Sequence, residues 1–309
     1  MKIFSSIYDY TPRQKSIMTL GTFDGVHIGH KKIIEKLIQN TKSCDCNSLV
    51  LTFFPHPRMI LQDSQEIRLL NTIEERIQLL EACGLNLLVV HPFDQKFSRL
   101  SAEEFVSSVL VDLFNIKKII IGYDHRFGRN RTADINDLIE FGKNYHFEVE
   151  QISAQEIDAV SVSSTKIRNA LLDGNIELAN TYLGYAYLLT GTINKGKGIG
   201  RTIGFPTANL AIEESYKLIP KNGVYIIQSL INEKLIFGMM NIGFNPTVNG
   251  DSQTIEIHFF DFTDDLYDKK IQIQVLKRIR DEQKFENLDL LAQQLIEDKK
   301  VAVAYLKNL

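Results

Sequence analysis

Met18-Thr19-Leu20-Gly21-Thr22-Phe23-Asp24-Gly25-Val26-His27-Ile28-Gly29-His30-Lys31-Lys32 decides the fold of the first half of the chain. Ile17 to Leu20 reads as a buried parallel strand, Gly21 to Gly25 as a tight turn, and Gly29 to Gln39 as a helix with apolar Ile33, Ile34, Leu37 and Ile38. In a parallel sheet such a turn lies at the carboxyl edge of the strands. The helix start presents unpaired N–H groups and the positive end of a dipole, which suits a phosphate. His27 and His30, spaced i, i+3, point from that start toward the same anion. Two other readings stay open: half of a zinc site, although the three cysteines lack zinc-finger spacing, or two helix-surface histidines without a role.

Outward from this unit, apolar runs recur at Leu49 to Phe54, Leu87 to Val90, Ile119 to Ile121 and Phe147 to Ile152, each separated by a helical pattern. That alternation predicts a parallel sheet covered on both faces, with function along its carboxyl edge. Thr72 to Cys83 is amphipathic with Gly84 as its stop, and Ser101-Ala102-Glu103-Glu104 opens the next helix as a capping box. The loops hold the unusual residues. Pro55-His56-Pro57-Arg58 is a stiff turn expected to face His56 and Arg58 outward. Gly122-Tyr123-Asp124-His125-Arg126-Phe127-Gly128-Arg129-Asn130-Arg131 combines guanidinium, aromatic and glycine, the composition of a pocket for a phosphate and a flat ring; a solvated basic loop is the plainer alternative. Ser163-Ser164-Thr165-Lys166-Ile167-Arg168 opens a helix with hydroxyls at its cap, a second anion-binding helix start.

From Tyr185 the period changes. Runs at Tyr187 to Ile193, Val224 to Leu230, Leu235 to Ile242, Thr254 to Phe260 and Ile271 to Leu276 alternate without helices between them, joined by Gly, Asn and Asp turns. Five or six such strands predict a small closed antiparallel barrel, and Asn287 to Leu306 a helix on its side or mouth. The boundary falls near Gly184, giving units of 1–183 and 184–309. Asn194 to Asn209 is glycine-rich and basic, able to lay N–H groups along phosphate oxygens, but it has no Walker lysine–serine pair. Glu256, in Ile255-Glu256-Ile257-His258, shares a strand face with His258 and not with Ile255 or Ile257. On the barrel interior it would be costly and functional; on the outside it would be an ordinary solvated residue.

Length and charge bound these readings. A chain of 309 residues is long enough for two cores. Its formal charge of −3 leaves no global field for nucleic acid. The N-terminus lacks a leader pattern, and no window approaches about 18 apolar residues. Cys44-Asp45-Cys46 places two cysteines too close for an easy bridge, so no disulfide framework is expected, which points to the cytoplasm.

Taken in order, these strings resemble the bacterial bifunctional riboflavin kinase/FAD synthetase family over nearly the whole chain. The resemblance implies a Rossmann-like HxGH nucleotidylyltransferase domain followed by an antiparallel Greek-key β-barrel with a C-terminal helix. The barrel would convert riboflavin and ATP to FMN, and the first domain FMN and ATP to FAD and pyrophosphate. His27, His30, Arg168 and Glu256 are then the expected catalytic residues. Gly21, Phe23, Asp24, Gly29, Ser163, Ser164 and Thr165 would surround ATP in the first domain, and Gly196, Gly198, Gly200 and Arg201 in the second. Pro55, His56, Pro57, Arg58, Asp124, Arg126, Phe127, Arg280 and Phe285 would hold flavin, while Thr207 and Asn209 of Pro206-Thr207-Ala208-Asn209 would hold Mg²⁺. ATP, riboflavin and FMN are the implied partners, without nucleic acid or membrane.

Three departures from the family pattern, His125, Ala133 and the Tyr185-Ala186 junction, motivate a rival: a flavin-binding regulator with one or both sites inert. A tRNA-charging enzyme, which shares the HxGH unit, is the other.

Overall fold

The computed structural model describes residues 1–61, 67–122, 126–153, 162–195, 199–247 and 250–308. Compactness divides the chain into Met1–Leu69 with Ile73–Ser163, and Leu70–Thr72 with Ser164–Leu309. The change of sequence period at Gly184 lies further along the chain than this division.

The first unit is a six-stranded sheet of β1 (Lys2–Phe4), β2 (Lys15–Leu20), β3 (Cys46–Phe53), β4 (Leu87–His91), β5 (Ile116–Gly122) and β6 (Glu148–Ile152), in the order β1-β4-β3-β2-β5-β6. Every neighbouring pair is parallel. Its helices are α1 (Ile28–Thr41), α2 (Pro57–Leu61), α3 (Ile73–Ala82), α4 (Gln95–Ser98), α5 (Ala102–Glu104), which continues as π-helical turns over Phe105–Leu113, and α6 (Ile135–Tyr145). The strand sequence alternates between two cores, as period two requires. Met18, Leu49, Leu51, Ile119 and Ile121 pack with Phe105, Val109, Leu110 and Leu138 on one face. Ile17, Val50, Leu88 and Ile120 pack with Ile34, Leu37 and Leu80 on the other. Each such side chain taken fully from water stabilises the fold by about 1.5–3 kcal/mol. The chain winds from β2 through β3 to β4 in one direction and from β5 to β6 in the other. The crevice of a doubly wound sheet opens at that reversal, between β2 and β5.

The expected strands are all present. β1 went unread because three residues carry no period, and it adds to the edge beside β4. Cys44 and Cys46 correct the cysteine expectation: they are joined as a disulfide, since the turn at Asp45 brings their Cα atoms to 5.3 Å, within the usual span. Cys83 is free and half-buried.

In the second unit, α7 (Ser164–Asp173) and α8 (Ile176–Leu183) precede a closed barrel of β7 (Tyr187–Asn194), β8 (Ala208–Ala211), β9 (Gly223–Ile231), β10 (Lys234–Thr247), β11 (Gly250–Phe259) and β12 (Lys270–Arg280). All six pairings are antiparallel. A short α9 (Ile199–Thr202) lies between β7 and β8, and α10 (Leu288–Leu306) is capped by Asn287, whose side chain accepts the Leu290 N–H. α10 covers the barrel side, where Ala302 and Leu295 meet Ile226, Met239 and Phe260. Leu70–Thr72 belongs to this unit because the buried Lys217 donates to the Leu70 carbonyl at 2.6 Å and sits 4.4 Å above the Tyr187 ring.

Candidate active sites

At the carboxyl edge of β2 the backbone turns within a few residues. The Gly21 N–H donates to the Leu51 carbonyl at 3.1 Å, and the Thr52 hydroxyl to the Thr22 carbonyl at 3.2 Å, pinning the turn against β3. A side chain at Gly21 would meet the Phe23 ring at 3.3 Å. Phe23 and Val26 carry positive φ of 48° and 34°, conformations that cost about 1–3 kcal/mol each in residues with side chains. Both are buried, at 2% and 0% exposure, so packing holds them there. Gly25 takes φ 90° at no such cost. Asp24 is buried in the same turn, and Gly29 in the first turn of α1.

His27 is the N-cap of α1, and its Nδ1 accepts the backbone N–H of His30 at 3.4 Å. That bond leaves the neutral ring's proton on Nε2. The two imidazoles stack with centroids 3.7 Å apart, and Phe23 lies 5.0 Å from the His30 ring. Burial pushes His27 down to about 4, against the opposing pull of Asp24. Burial, then the His27 ring and the Arg76 charge, hold His30 well below its ordinary value. Both are therefore neutral donors at pH 7. His30 Nδ1 is buried without a hydrogen-bond partner among the described residues, and a bound oxygen would satisfy it. Among those residues no three His, Cys, Asp or Glu are grouped as a metal-ion site.

The loop after β3 corrects one expectation. His56 does not face outward: it is 7% exposed, and its Nδ1 accepts the Arg58 N–H at 3.1 Å, so the ring caps α2. A ring at the cap position satisfies a helix-start donor best when covered. Pro57 opens α2, Pro55 is half-buried and Arg58 exposed. In the arginine-rich loop, Asp124 and His125 lie outside the described residues. Arg126 is exposed, whereas Phe127 joins the core, paired through its backbone with Ala133 at 3.1 and 3.2 Å. Ala133, one of the departures, is itself 4% exposed. Ser163 is exposed, and Ser164, Thr165 and Arg168 begin α7, with Arg168 half-buried and Ile167 turned into the core.

In the barrel, Gly196 and Gly198 lie outside the described residues. Gly200 is in α9, where a Cβ would strike the Phe205 carbonyl at 2.1 Å and approach Thr207 Cγ2 at 3.4 Å. Only glycine lets this turn fold back on the Phe205–Thr207 segment. Arg201 is exposed beside it. Along β11, Ile255, Ile257 and Phe259 are buried while Glu256 and His258 are half-buried, so Glu256 stands on the face opposite the apolar one. The interior alternative is thereby excluded. Yet that outer face is not bare: Glu256 is the direct partner of Asn209 on one side and of Asn241 on the other, and directly opposed residues share a face. His258, on the same face, bonds the Pro206 carbonyl at 2.9 Å and lies 5.1 Å from the Phe205 ring. Burial lowers its basicity.

A hydroxyl and an amide, Thr207 and Asn209, are hard neutral oxygen donors of the kind that share Mg²⁺ with phosphates and water. They fit that ion, which would neutralise triphosphate charge. Arg280 is engaged elsewhere. Its Nε and Nη2 hold the carboxylate of the buried Asp298 on α10 at 2.7–3.1 Å, and its guanidinium stands 5.8 Å from the half-buried Phe285 ring. Arg76 and Asp298, both buried charges, were invisible in the sequence because each sits at an ordinary helix position.

A doubly wound sheet with stacked histidines at a helix start, followed by a closed barrel with a carboxylate opposite asparagines, defines a nucleotide-handling protein of two units. The FAD synthetase family model matches residues 10–166 and the riboflavin kinase model residues 183–306. A bifunctional riboflavin kinase/FMN adenylyltransferase of Escherichia coli (strain K12) is 34% identical over 98% of this chain and 97% of that protein. One of Bacillus subtilis (strain 168) is 36% identical over 96% and 94%. The chain belongs to the bifunctional riboflavin kinase/FMN adenylyltransferase family. A crystal structure named a macrolide-efflux protein, from Streptococcus pneumoniae, superposes with a TM-score of 0.87 at 31% identity, covering 97% of each chain. That name concerns that protein; here no described helix is long and apolar enough to cross a membrane.

Proposed function

We propose that this chain phosphorylates riboflavin to FMN in its barrel, residues 184–309, and adenylylates FMN to FAD with release of pyrophosphate in residues 1–183. What carries the reading is the division of chemistry between two units that match the two family models in order. The attacking group in adenylylation is a phosphate oxygen, already ionised, so no base is required. One P–O bond forms to the α-phosphorus as the bond to pyrophosphate breaks, and charge builds on the leaving group. Neutral N–H donors at the start of α1 supply preorganised stabilisation there, and the family pattern assigns Arg168 and the hydroxyls of Ser163, Ser164 and Thr165 to the same reaction. Gly21, Phe23, Asp24 and Gly29 shape the turn around the nucleotide; on the flavin side Arg58 and Arg126 are exposed, Pro55 and Pro57 stiffen their loop, the buried His56 and Phe127 brace the loops from within, and Asp124 is assigned by the family pattern alone.

The kinase step differs because its nucleophile is an alcohol, whose proton must leave as the new P–O bond forms and ADP departs. Glu256 takes that proton, Thr207 and Asn209 would hold Mg²⁺, which would neutralise phosphate charge, the family pattern assigns Gly196, Gly198, Gly200 and Arg201 to the ATP phosphates, and Arg280 with Phe285 braces the flavin-side loop. A cytoplasmic location, where ATP is at hand, and small-molecule partners without nucleic acid complete the reading. The match of one model to residues 10–166 and of the other to residues 183–306 favours flavin chemistry over tRNA charging.

Chromatography of flavins after incubation with riboflavin, ATP and Mg²⁺ tests it. Wild type yields FAD. His30→Ala accumulates FMN with FAD formation down by at least about 10²-fold. Glu256→Ala makes no FMN from riboflavin yet converts added FMN to FAD. Unchanged riboflavin with the wild type would establish the inert regulator instead.

A further inference from the structure

α3 brings to the first site a residue that its motifs do not contain. Arg76 is 0% exposed, one of the largest fully buried side chains of the protein. Its Nη1 donates at 3.2 Å to the carbonyl of Phe53, the last residue of β3. That same strand end carries the two bonds, from Leu51 and Thr52, that pin the Gly21–Gly25 turn. The guanidinium therefore enters the carboxyl edge beside the turn that presents the histidines, and its field is felt at the His30 ring. Burying an arginine is expensive, and an apolar residue of similar volume often fills such a space without loss of stability. A charge retained under such a cost, next to an anion-binding helix start, calls for a functional explanation.

We propose that Arg76 is a positioning residue for adenylyl transfer: its fixed charge, anchored to β3, holds the anion turn and the stacked histidines in register and supplies positive potential where the triphosphate's charge collects. The assignment rests on the FMN adenylyltransferase reading of this unit. Asp24 from the turn, the two rings on one another, and Arg76 from α3 all act on the histidine pair. Of these Arg76 is the fixed positive charge, so it opposes protonation of the pair before substrate binds. It also strengthens the attraction for a polyanion without touching it.

The test uses the full chain with Arg76→Met, which removes the charge at similar volume and is expected to fold, and Arg76→Lys, which keeps the charge. FAD formation from FMN and ATP is followed across the pH range in which each variant is folded, with riboflavin phosphorylation by the same preparations as the measure of intact protein. Arg76→Met should lower kcat about 10²-fold with little change in the KM for FMN, and should move the acid limb of the kcat/KM profile up by about one pH unit. Arg76→Lys should leave that limb in place and recover at least part of kcat. A Met variant with wild-type kcat and an unshifted limb would overturn the proposal. So would equal losses of both activities in Met and Lys with unshifted profiles, which would make Arg76 purely structural. A wild type that phosphorylates riboflavin but makes no FAD from added FMN would instead overturn the underlying reading of the unit, and the role of Arg76 with it.

Discussion

His27 shows how a helix cap and the protonation state of a side chain depend on one another. As the cap of α1 it needs a ring nitrogen free to accept, and burial keeps it so by disfavouring the imidazolium. The consequence for stability has a definite sign. A histidine whose folded value lies near 4 and whose unfolded value is 6.5 binds protons more readily when unfolded. Its contribution is fully present above pH 6.5 and is lost as pH falls toward 4, by about 3 kcal/mol in total and about 2 kcal/mol by about pH 5. His30, His91 and His258 are shifted the same way, chiefly by burial, so they deepen the same acid loss. His27→Asn, which still caps the helix but cannot titrate, should lose about 2 kcal/mol less than wild type when urea unfolding near pH 7 is compared with that near pH 5. Equal losses would mean that the ring is protonated in the folded protein.

At the scale of the element, α10 is fixed to the barrel by more than its apolar stripe. Arg280 at the end of β12 grips Asp298 through Nε and Nη2, Gln294 donates to the same carboxylate at 3.0 Å, and Asp298 is 1% exposed. Removing the acid leaves a mostly buried guanidinium without its partner. Asp298→Ala is therefore expected to cost about 3–5 kcal/mol, read as a lowered denaturation midpoint of the barrel unit, whereas Arg280→Met with Asp298→Leu should restore most of it. No loss in the single variant would mean that water replaces the pair. α1, α3 and the start of α5 were readable to within a few residues: Ser101 and Glu104 form the expected capping box, and Gly84 follows α3 with φ 83°. Such local signals act through neighbours in sequence, which is why they could be found there.

For the whole molecule, the expected outcome is that the two chemistries are separable on different chains. A mixture of His30→Ala and Glu256→Ala, given riboflavin, ATP and Mg²⁺, should form FAD although neither variant alone does, because FMN made by the first is adenylylated by the second. Absence of FAD from the mixture, with added FMN still converted by Glu256→Ala, would show that FMN does not leave the chain that makes it. By itself the sequence determined the alternating strands and helices of the first unit, the antiparallel period of the second, the glycine turn with its histidines, and the strand face that Glu256 shares with His258. These are local patterns, set by steric periods of two and 3.6 residues and by turn chemistry. Tertiary structure decided the rest: that the Glu256 face is the outer one with Asn209 and Asn241 alongside, that His56 is buried, that Phe127 belongs to the core, and that Arg76 and Asp298 are buried charges. Burial and cross-strand register depend on which distant segments pack together, and no spacing along the chain encodes that by itself.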